Sequence, residues 1–156
     1  MRRRTLLAST AGTVALAGCL FADDDPHADM EDCEIEGHES GEIEIVVDGD
    51  PIDLEADRYQ AEHAHDYSLD FHFHEGSESW YMDCDRVTFA EAIDLIPHVS
   101  YERSEGEHVF THDDETADAR ESGTVIEFEL NGESVEPEDH RLEEGDELFV
   151  EIQTGG

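Results

Sequence analysis

Lysine is absent from this 156-residue chain, and only eight arginines stand against 44 acidic residues. Three of the arginines lie within the first four residues, so the chain beyond residue 18 carries five arginines and a formal charge of about −39. A charge of that sign and size repels phosphate backbones and anionic headgroups. We therefore expect neither nucleic acid nor an anionic lipid surface as a partner.

Two kinds of chain have such an acidic composition: disordered chains and folded domains that are adapted to molar salt. In molar salt the Debye length falls to about 3 Å, which screens the self-repulsion of a folded acidic domain. Disordered acidic chains lack apolar periodicity, whereas this one alternates apolar and polar residues and contains one tryptophan, four tyrosines and seven phenylalanines. The folded interpretation is favoured, and the composition resembles that of haloarchaeal proteins.

Long apolar runs are also missing. The longest covers residues 5–18, which are 14 residues against the roughly 20 that span a bilayer as a helix. It follows a basic start at residues 2–4, as in a cleaved export signal. The Arg-Arg-x-Leu-Leu core resembles the twin-arginine signal, and residues 16–19 (Leu-Ala-Gly-Cys) resemble the lipobox of lipoproteins.

This resemblance implies that residues 1–18 are removed and that Cys19 becomes a lipidated N-terminus. The protein is then held by membrane lipid on the extracytoplasmic face, because two acyl chains anchor durably. Residues 19–41 are predicted to include an acidic tether, and residues 42–156 the domain. A plain secretory signal with an unmodified Cys19 is the alternative.

Cysteine is scarce, and with Cys19 assigned to lipid only Cys33 and Cys84 remain. Disulfides persist outside the cytoplasm, which favours a bridge between these two residues. Closing a loop of about 50 residues stabilises by roughly 4 kcal/mol in the chain-entropy model. Two free buried thiols, or a metal site that uses both thiolates, stay open as alternatives.

Alternating apolar residues around turn sequences predict three β-hairpins. The first covers residues 42–54 with Asp48-Gly49 at its turn, and a second covers residues 124–135 with Asn131-Gly132 at its turn. The third, rich in histidine, runs from residue 67 to residue 84.

A helix is predicted after the third hairpin, because Thr88 and Glu91 form a capping box and Pro97 ends the apolar periodicity. Residues 99–111 are predicted to be extended, residues 113–123 to be a polar loop, and residues 148–152 to form a last strand.

The order of these elements resembles the β-grasp fold, with the ThiS/MoaD sulfur carriers of the ubiquitin-like group as the most similar family. The sequence Asn131-Gly132-Glu133, residues 142–148 (Leu-Glu-Glu-Gly-Asp-Glu-Leu) and the terminal Gly155-Gly156 carry the resemblance. It implies an α+β class: a mixed sheet of hairpins packed on one short helix, here with an inserted histidine-rich hairpin between residues 59 and 85.

Histidines occur in two closely spaced pairs, His63 with His65 and His72 with His74. In an extended chain, residues two apart share a face with side chains about 6 to 7 Å apart, near enough to converge on one ion. Neutral imidazole binds copper, zinc or nickel, and we expect copper or zinc here. The alternative is that these histidines are polar residues of a solvent-facing strand. The carboxylates that could complete or orient such a site are Glu62, Asp66 and Asp70.

No nucleophile elbow, phosphate-binding loop or zinc-protease helix motif occurs in the chain, so no enzymatic activity is expected. We predict a membrane-anchored binding module that takes a transition metal through the four histidines. A protein-interaction module with an exposed sheet edge and no metal is the alternative. A sulfur carrier that uses the terminal Gly-Gly is a third reading, against which the export signal argues because activation needs cytoplasmic ATP.

Overall fold

The computed structural model describes residues 33–155. The predicted signal peptide, the Cys19 lipid site, the tether up to residue 32 and Gly156 lie outside the described residues. No helix between residues 33 and 155 is both long enough and apolar enough to cross a membrane.

The described residues form ten strands and one α-helix. The strands are β1 Glu39–Val47, β2 Asp50–Pro51, β3 His72–Phe73, β4 Ser79–Met82, β5 Val99–Ser104, β6 Glu107–His112, β7 Glu115–Asp118, β8 Val125–Leu130, β9 Glu133–Ser134 and β10 Glu147–Gln153; the helix α1 is Phe89–Leu95.

A large mixed sheet has the strand order β3-β4-β1-β10-β8-β9, and β2 also pairs with β1. Its centre is the parallel pair of β1 and β10, in register from Glu42 opposite Glu147 to Val47 opposite Ile152. Alternation puts the apolar residues of these strands on one face, where Ile45, Val150 and Ile152 are fully buried.

The first two predicted hairpins are confirmed. Asp48 and Gly49 both have positive φ, at 51° and 88°, and join β1 to β2. Asn131 and Gly132 have φ of 52° and 81° and join β8 to β9. Two successive residues with positive φ give the tight turn whose twist matches that of the flanking strands.

The predicted capped helix is also confirmed. The Glu91 backbone N–H donates to the Thr88 hydroxyl at 3.1 Å, and the Thr88 N–H donates to the Glu91 carboxylate at 2.8 Å. The apolar face of α1 is buried against the large sheet, where the rings of Phe89 and Phe128 meet edge to face at 5.4 Å. The helix ends at Leu95, two residues before Pro97.

A second, three-stranded sheet has the order β5-β6-β7. The predicted extended segment is a hairpin that turns at Glu105 and Gly106, which have φ of 53° and 88°. The predicted polar loop at residues 113–123 is wrong, because residues 115–118 form β7. The position opposite Phe110 is taken by Ala117, which is buried, and this non-local pairing outweighs the polar composition of the segment.

The predicted α+β class is therefore wrong, and the protein is mostly β. One seven-residue helix accompanies ten strands in two sheets within the described residues. The chain between α1 and β8, which was expected to contribute an extended segment and a loop, contributes a whole sheet. The histidine-rich hairpin is also shorter than expected: only β3 and β4 pair, and Tyr67 and Leu69 are 42% and 43% exposed.

A disulfide joins Cys33 to Cys84, which lies two residues beyond the end of β4. The Ile35 N–H donates to the Cys84 carbonyl at 2.8 Å, and the Ile35 side chain is buried. The folded region thus begins before the predicted domain boundary at residue 42. The bridge also takes both sulfurs out of consideration as metal ligands.

Candidate metal centre

Three side chains of ligand type converge where β3 and β4 meet: His72, His74 and Asp83. Their ligand atoms all lie within 4.8 Å of one another. His72 and His74 are two residues apart at the end of an extended segment, so they share a face. Asp83 follows β4, and the pairing of His72 with Tyr81 places Asp83 diagonally across from His72.

The separations between these atoms match those of metal ligands. The Nε2 atoms of His72 and His74 are 3.1 Å apart, and Nε2 of His72 is 3.1 Å from Oδ2 of Asp83. Two nitrogen ligands of a tetrahedral zinc ion are about 3.3 Å apart when each lies about 2.05 Å from the metal. The cluster is therefore close to ligand spacing.

The outer nitrogen of each ring has a partner that can only accept a hydrogen bond. Nδ1 of His72 donates to the Ser68 carbonyl at 3.0 Å, and Nδ1 of His74 donates to the Glu62 carboxylate at 2.7 Å. These partners assign the hydrogen of each neutral ring to Nδ1. Both Nε2 atoms then present lone pairs to the centre of the cluster, which is how partners of this kind orient histidine ligands at metal sites.

With neutral rings, none of the three converging atoms carries a hydrogen. Two imidazole lone pairs and one carboxylate oxygen face one another at hydrogen-bond distance and repel. A cation at their centre removes the repulsion, and that cation is either a proton or a metal ion. The structure thus contains a His/Asp grouping that could hold a metal ion.

Burial acts against the proton. The His72 side chain is 1% exposed, and this burial lowers its pKa, although the charge of Asp83 opposes the shift. The hydrogen bond from His74 lowers the pKa of Glu62 to about 2, so Glu62 stays an ionised acceptor at neutral pH.

Other histidines show what a satisfied ring looks like in this protein. Nε2 of His112 lies 2.7 Å from the Tyr59 hydroxyl, and Nδ1 of His108 lies 2.7 Å from the Tyr101 hydroxyl. Each of these pairs contains a hydroxyl that can donate or accept. Within residues 33–155, no hydroxyl makes a hydrogen bond to the converging atoms of His72, His74 and Asp83.

Two of the four predicted histidine ligands lie outside the cluster. His63 and His65 are exposed, and Nε2 of His63 is 3.6 Å from a Glu75 oxygen. Residues 61–66 form turns rather than a strand, held by N–H groups of His63 and Ala64 that donate to the Gln60 carbonyl. The two-residue spacing therefore does not give this pair the shared face expected of a strand.

The neighbouring carboxylates have separate roles. Glu62 is a supporting residue, since its second oxygen accepts from the Glu75 N–H at 3.1 Å. Asp70 accepts from the Asp85 N–H at 3.1 Å and belongs to a different acidic grouping, while Asp66 is exposed. Sequence reasoning missed Asp83, although the diagonal pairing across the predicted hairpin at Gly76 could have indicated it.

No protein-family model, curated protein or solved structure matches this chain. The function is therefore inferred from the site itself.

Two tyrosines flank the cluster. The Tyr81 ring lies 4.9 Å from the His74 ring and 6.2 Å from the His72 ring, and Tyr67 meets His72 edge-on at 5.7 Å. The Ser77 hydroxyl, 3.1 Å from that of Tyr81, holds the Tyr81 ring in place. Aromatic neighbours exclude water from His72, whereas His74 remains 41% exposed. The cluster is thus buried at His72 and open to solvent at His74.

Proposed function

We propose that this protein binds one divalent transition-metal ion through His72, His74 and Asp83, as a binding module on the extracytoplasmic face of the membrane. The observation that carries the proposal is the convergence of two imidazole lone pairs and one carboxylate oxygen at ligand spacing. Ser68 and Glu62 hold the two rings in the orientation that a metal ion requires.

The donor set favours copper(II) or zinc(II). Two imidazole nitrogens and one carboxylate suit these ions, whereas magnesium and calcium prefer sites built from oxygen alone. The soft thiolates that select copper(I) are missing from the set, because Cys33 and Cys84 are bridged to each other. The Irving–Williams order places copper(II) above zinc(II) at a site of this kind.

The location belongs to the same proposal. The arginine pair and the lipobox-like residues 16–19 support export and attachment through Cys19. The Cys33–Cys84 disulfide is consistent with an oxidising exterior, because such bridges are rare in the cytoplasm.

Calorimetric titration with copper(II) and zinc(II) in molar salt tests the proposal. We expect one-to-one binding by the wild type and no saturable binding by the double variant His72→Ala plus His74→Ala. The matched control is His63→Ala plus His65→Ala, which removes two nearby exposed imidazoles and should leave the titration unchanged. Equal heats from the wild type and the His72/His74 variant would contradict metal binding and favour a protein-interaction module.

A single substitution tests Asp83 separately. Asp83→Asn keeps the size of the side chain but removes its charge, so we expect metal affinity to fall by at least about tenfold, the lower end of the effect seen for supporting residues. Asp66→Asn, an exposed carboxylate on the same segment as His65, is the control. An unchanged affinity in Asp83→Asn would remove Asp83 from the ligand set.

A further inference from the structure

The three protein donors leave the coordination shell of the metal ion incomplete. Zinc takes four ligands, and sites with three protein ligands keep the fourth position for water or another molecule. Among residues 33–155, the group of ligand atoms around this point contains only His72, His74 and Asp83. A fourth ligand must therefore come from solvent or from another molecule.

The nearest protein candidates are engaged elsewhere. Both oxygens of Glu62 have partners, one at His74 Nδ1 and the other at the Glu75 N–H. His63 lies beside Glu75 on the exterior, with its Nε2 3.6 Å from that carboxylate.

The open position has a defined direction. His72 is 1% exposed and forms the floor, while the side chains of His74 and Glu62 are each 41% exposed. The exposed Tyr67 and Leu69 lie on the same segment as Ser68, the hydrogen-bond partner of His72. A ligand that approaches from the His74 side meets the Tyr81 ring, 4.9 Å from that of His74, as well as the ion.

Local charge selects the kind of ligand. A divalent ion, the Asp83 carboxylate and the Glu62 carboxylate sum to zero, so the loaded site has no net charge to attract an anion. In molar salt only charges within a few ångströms count, because the Debye length is about 3 Å. A neutral nitrogen donor replaces water at such a site without adding charge.

We infer that the bound metal keeps one coordination position open on the His74 side and takes a neutral imidazole there, of the kind that a histidine side chain of another molecule supplies. This inference rests on the proposed metal binding. It makes the protein a docking point at which a metal ion is shared with an incoming histidine.

Copper(II)-loaded protein in molar sodium nitrate provides the test, with free imidazole and azide as the probes. We expect imidazole to shift the visible copper band to shorter wavelength and to add one nitrogen to the electron paramagnetic resonance hyperfine pattern. The change should saturate at one imidazole per copper, and azide should need at least tenfold higher concentration to give its charge-transfer band.

Two measurements distinguish a failure of metal binding from a failure of imidazole binding. Calorimetry first establishes that copper binds; absence of copper binding would defeat the proposed function itself. If copper binds but imidazole leaves the spectra unchanged, or if azide binds more tightly than imidazole, the inference is overturned.

Two variants test whether His63 is the fourth ligand and whether local charge selects the incoming ligand. His63→Ala should leave the imidazole titration unchanged, and imidazole binding that appears only in this variant would show that His63 is the fourth ligand. Glu62→Gln raises the charge of the loaded site by one. Because Glu62 also orients His74, calorimetry first measures copper binding by this variant, and in its copper-loaded form azide binding should strengthen several-fold relative to imidazole binding. Unchanged azide binding would contradict the role assigned to charge.

Discussion

The positions of two ring hydrogens, on His72 and His74, determine whether the His/Asp cluster can bind a metal ion. The Ser68 carbonyl and the Glu62 carboxylate each hold an Nδ1 hydrogen, and this leaves both Nε2 atoms as acceptors beside Asp83. Had His72 faced a donor instead, its Nε2 would carry the hydrogen and donate it to Asp83 without a metal. Had His74 faced one, its Nε2 would donate to Nε2 of His72. The metal-binding potential therefore lies as much in these two supporting groups as in the imidazoles.

Another residue-scale network links the small sheet to the short 3₁₀ turn Pro137–Asp139, which follows β9. Arg103 donates to Glu138 at 2.8 Å and Tyr101 donates to the same carboxylate at 2.5 Å. The hydrogen bond from Arg103, followed by that from Tyr101, lowers the pKa of Glu138 to about 2, although partial burial opposes the shift.

The stabilising effect of Glu138 should depend on pH. A carboxylate whose pKa is lowered by folding stabilises above its unfolded pKa and loses that contribution as the pH falls through the folded value. We expect wild type to exceed Glu138→Gln in free energy of unfolding by up to about 1 kcal/mol at pH 7, after allowance for solvent screening. The gap should close between pH 4.5 and about 2.

Urea unfolding of both proteins across that pH range measures the gap. Glu133→Gln, on the exposed strand β9, is the control and should show no such trend. A gap that stays constant down to pH 2 would show that the Arg103 contact does not stabilise the fold through charge.

At the scale of elements, the disulfide and the His/Asp cluster are adjacent. Asp83 directly precedes Cys84, and its N–H donates to the Leu69 carbonyl at 2.8 Å. The end of β4 is thus tied on one side to the segment before β3 and on the other to residue 33. We infer that the bridge helps to keep Asp83 in place.

Removal of the bridge should affect both stability and metal binding. In Cys33→Ser plus Cys84→Ser, we expect the free energy of unfolding in urea to fall by about 2 to 4 kcal/mol. Metal affinity should also fall, because Asp83 gains freedom that binding must remove. A variant that loses stability but keeps full metal affinity would contradict the coupling.

At the scale of the whole molecule, negative charge dominates. All five arginines between residues 33 and 155 are in ion pairs, so none remains to balance the other carboxylates. These pairs are Arg58 with Asp113, Arg86 with Glu39 and Glu34, Arg103 with Glu136 and Glu138, Arg120 with Asp118 and Glu105, and Arg141 with Glu34. We therefore expect screening by salt to relieve the self-repulsion.

The fold should depend on salt accordingly. The Debye length grows from about 3 Å at 1 M salt to about 30 Å at 0.01 M, so repulsion reaches across the molecule at low salt. We expect the folded far-ultraviolet circular dichroism signal to disappear when salt falls from molar to tens of millimolar. A low-salt sample with sucrose at equal osmolality should not restore it, and a folded spectrum at low salt would contradict adaptation to salt.

Local chemistry allowed part of the fold to be predicted. The turns at Asp48-Gly49 and Asn131-Gly132 and the capping box of Thr88 and Glu91 each depend on a few adjacent residues, and the structure has all three. The scarcity of cysteine singled out Cys33 and Cys84 as a pair before their positions were known. His72 and His74 were found for the same reason, because their relation depends only on a two-residue spacing.

The sequence by itself thus determined the turns, the helix start and two members of the His/Asp cluster, since each follows from neighbours along the chain. It determined the cysteine pair through the scarcity of cysteine. Only the tertiary structure decided that β1 lies parallel to β10, that residues 115–118 complete a second sheet, and that Asp83 rather than His63 or His65 joins His72 and His74. The physical reason is that strand pairing between distant segments depends on which apolar faces can be buried together, and no local pattern records that choice.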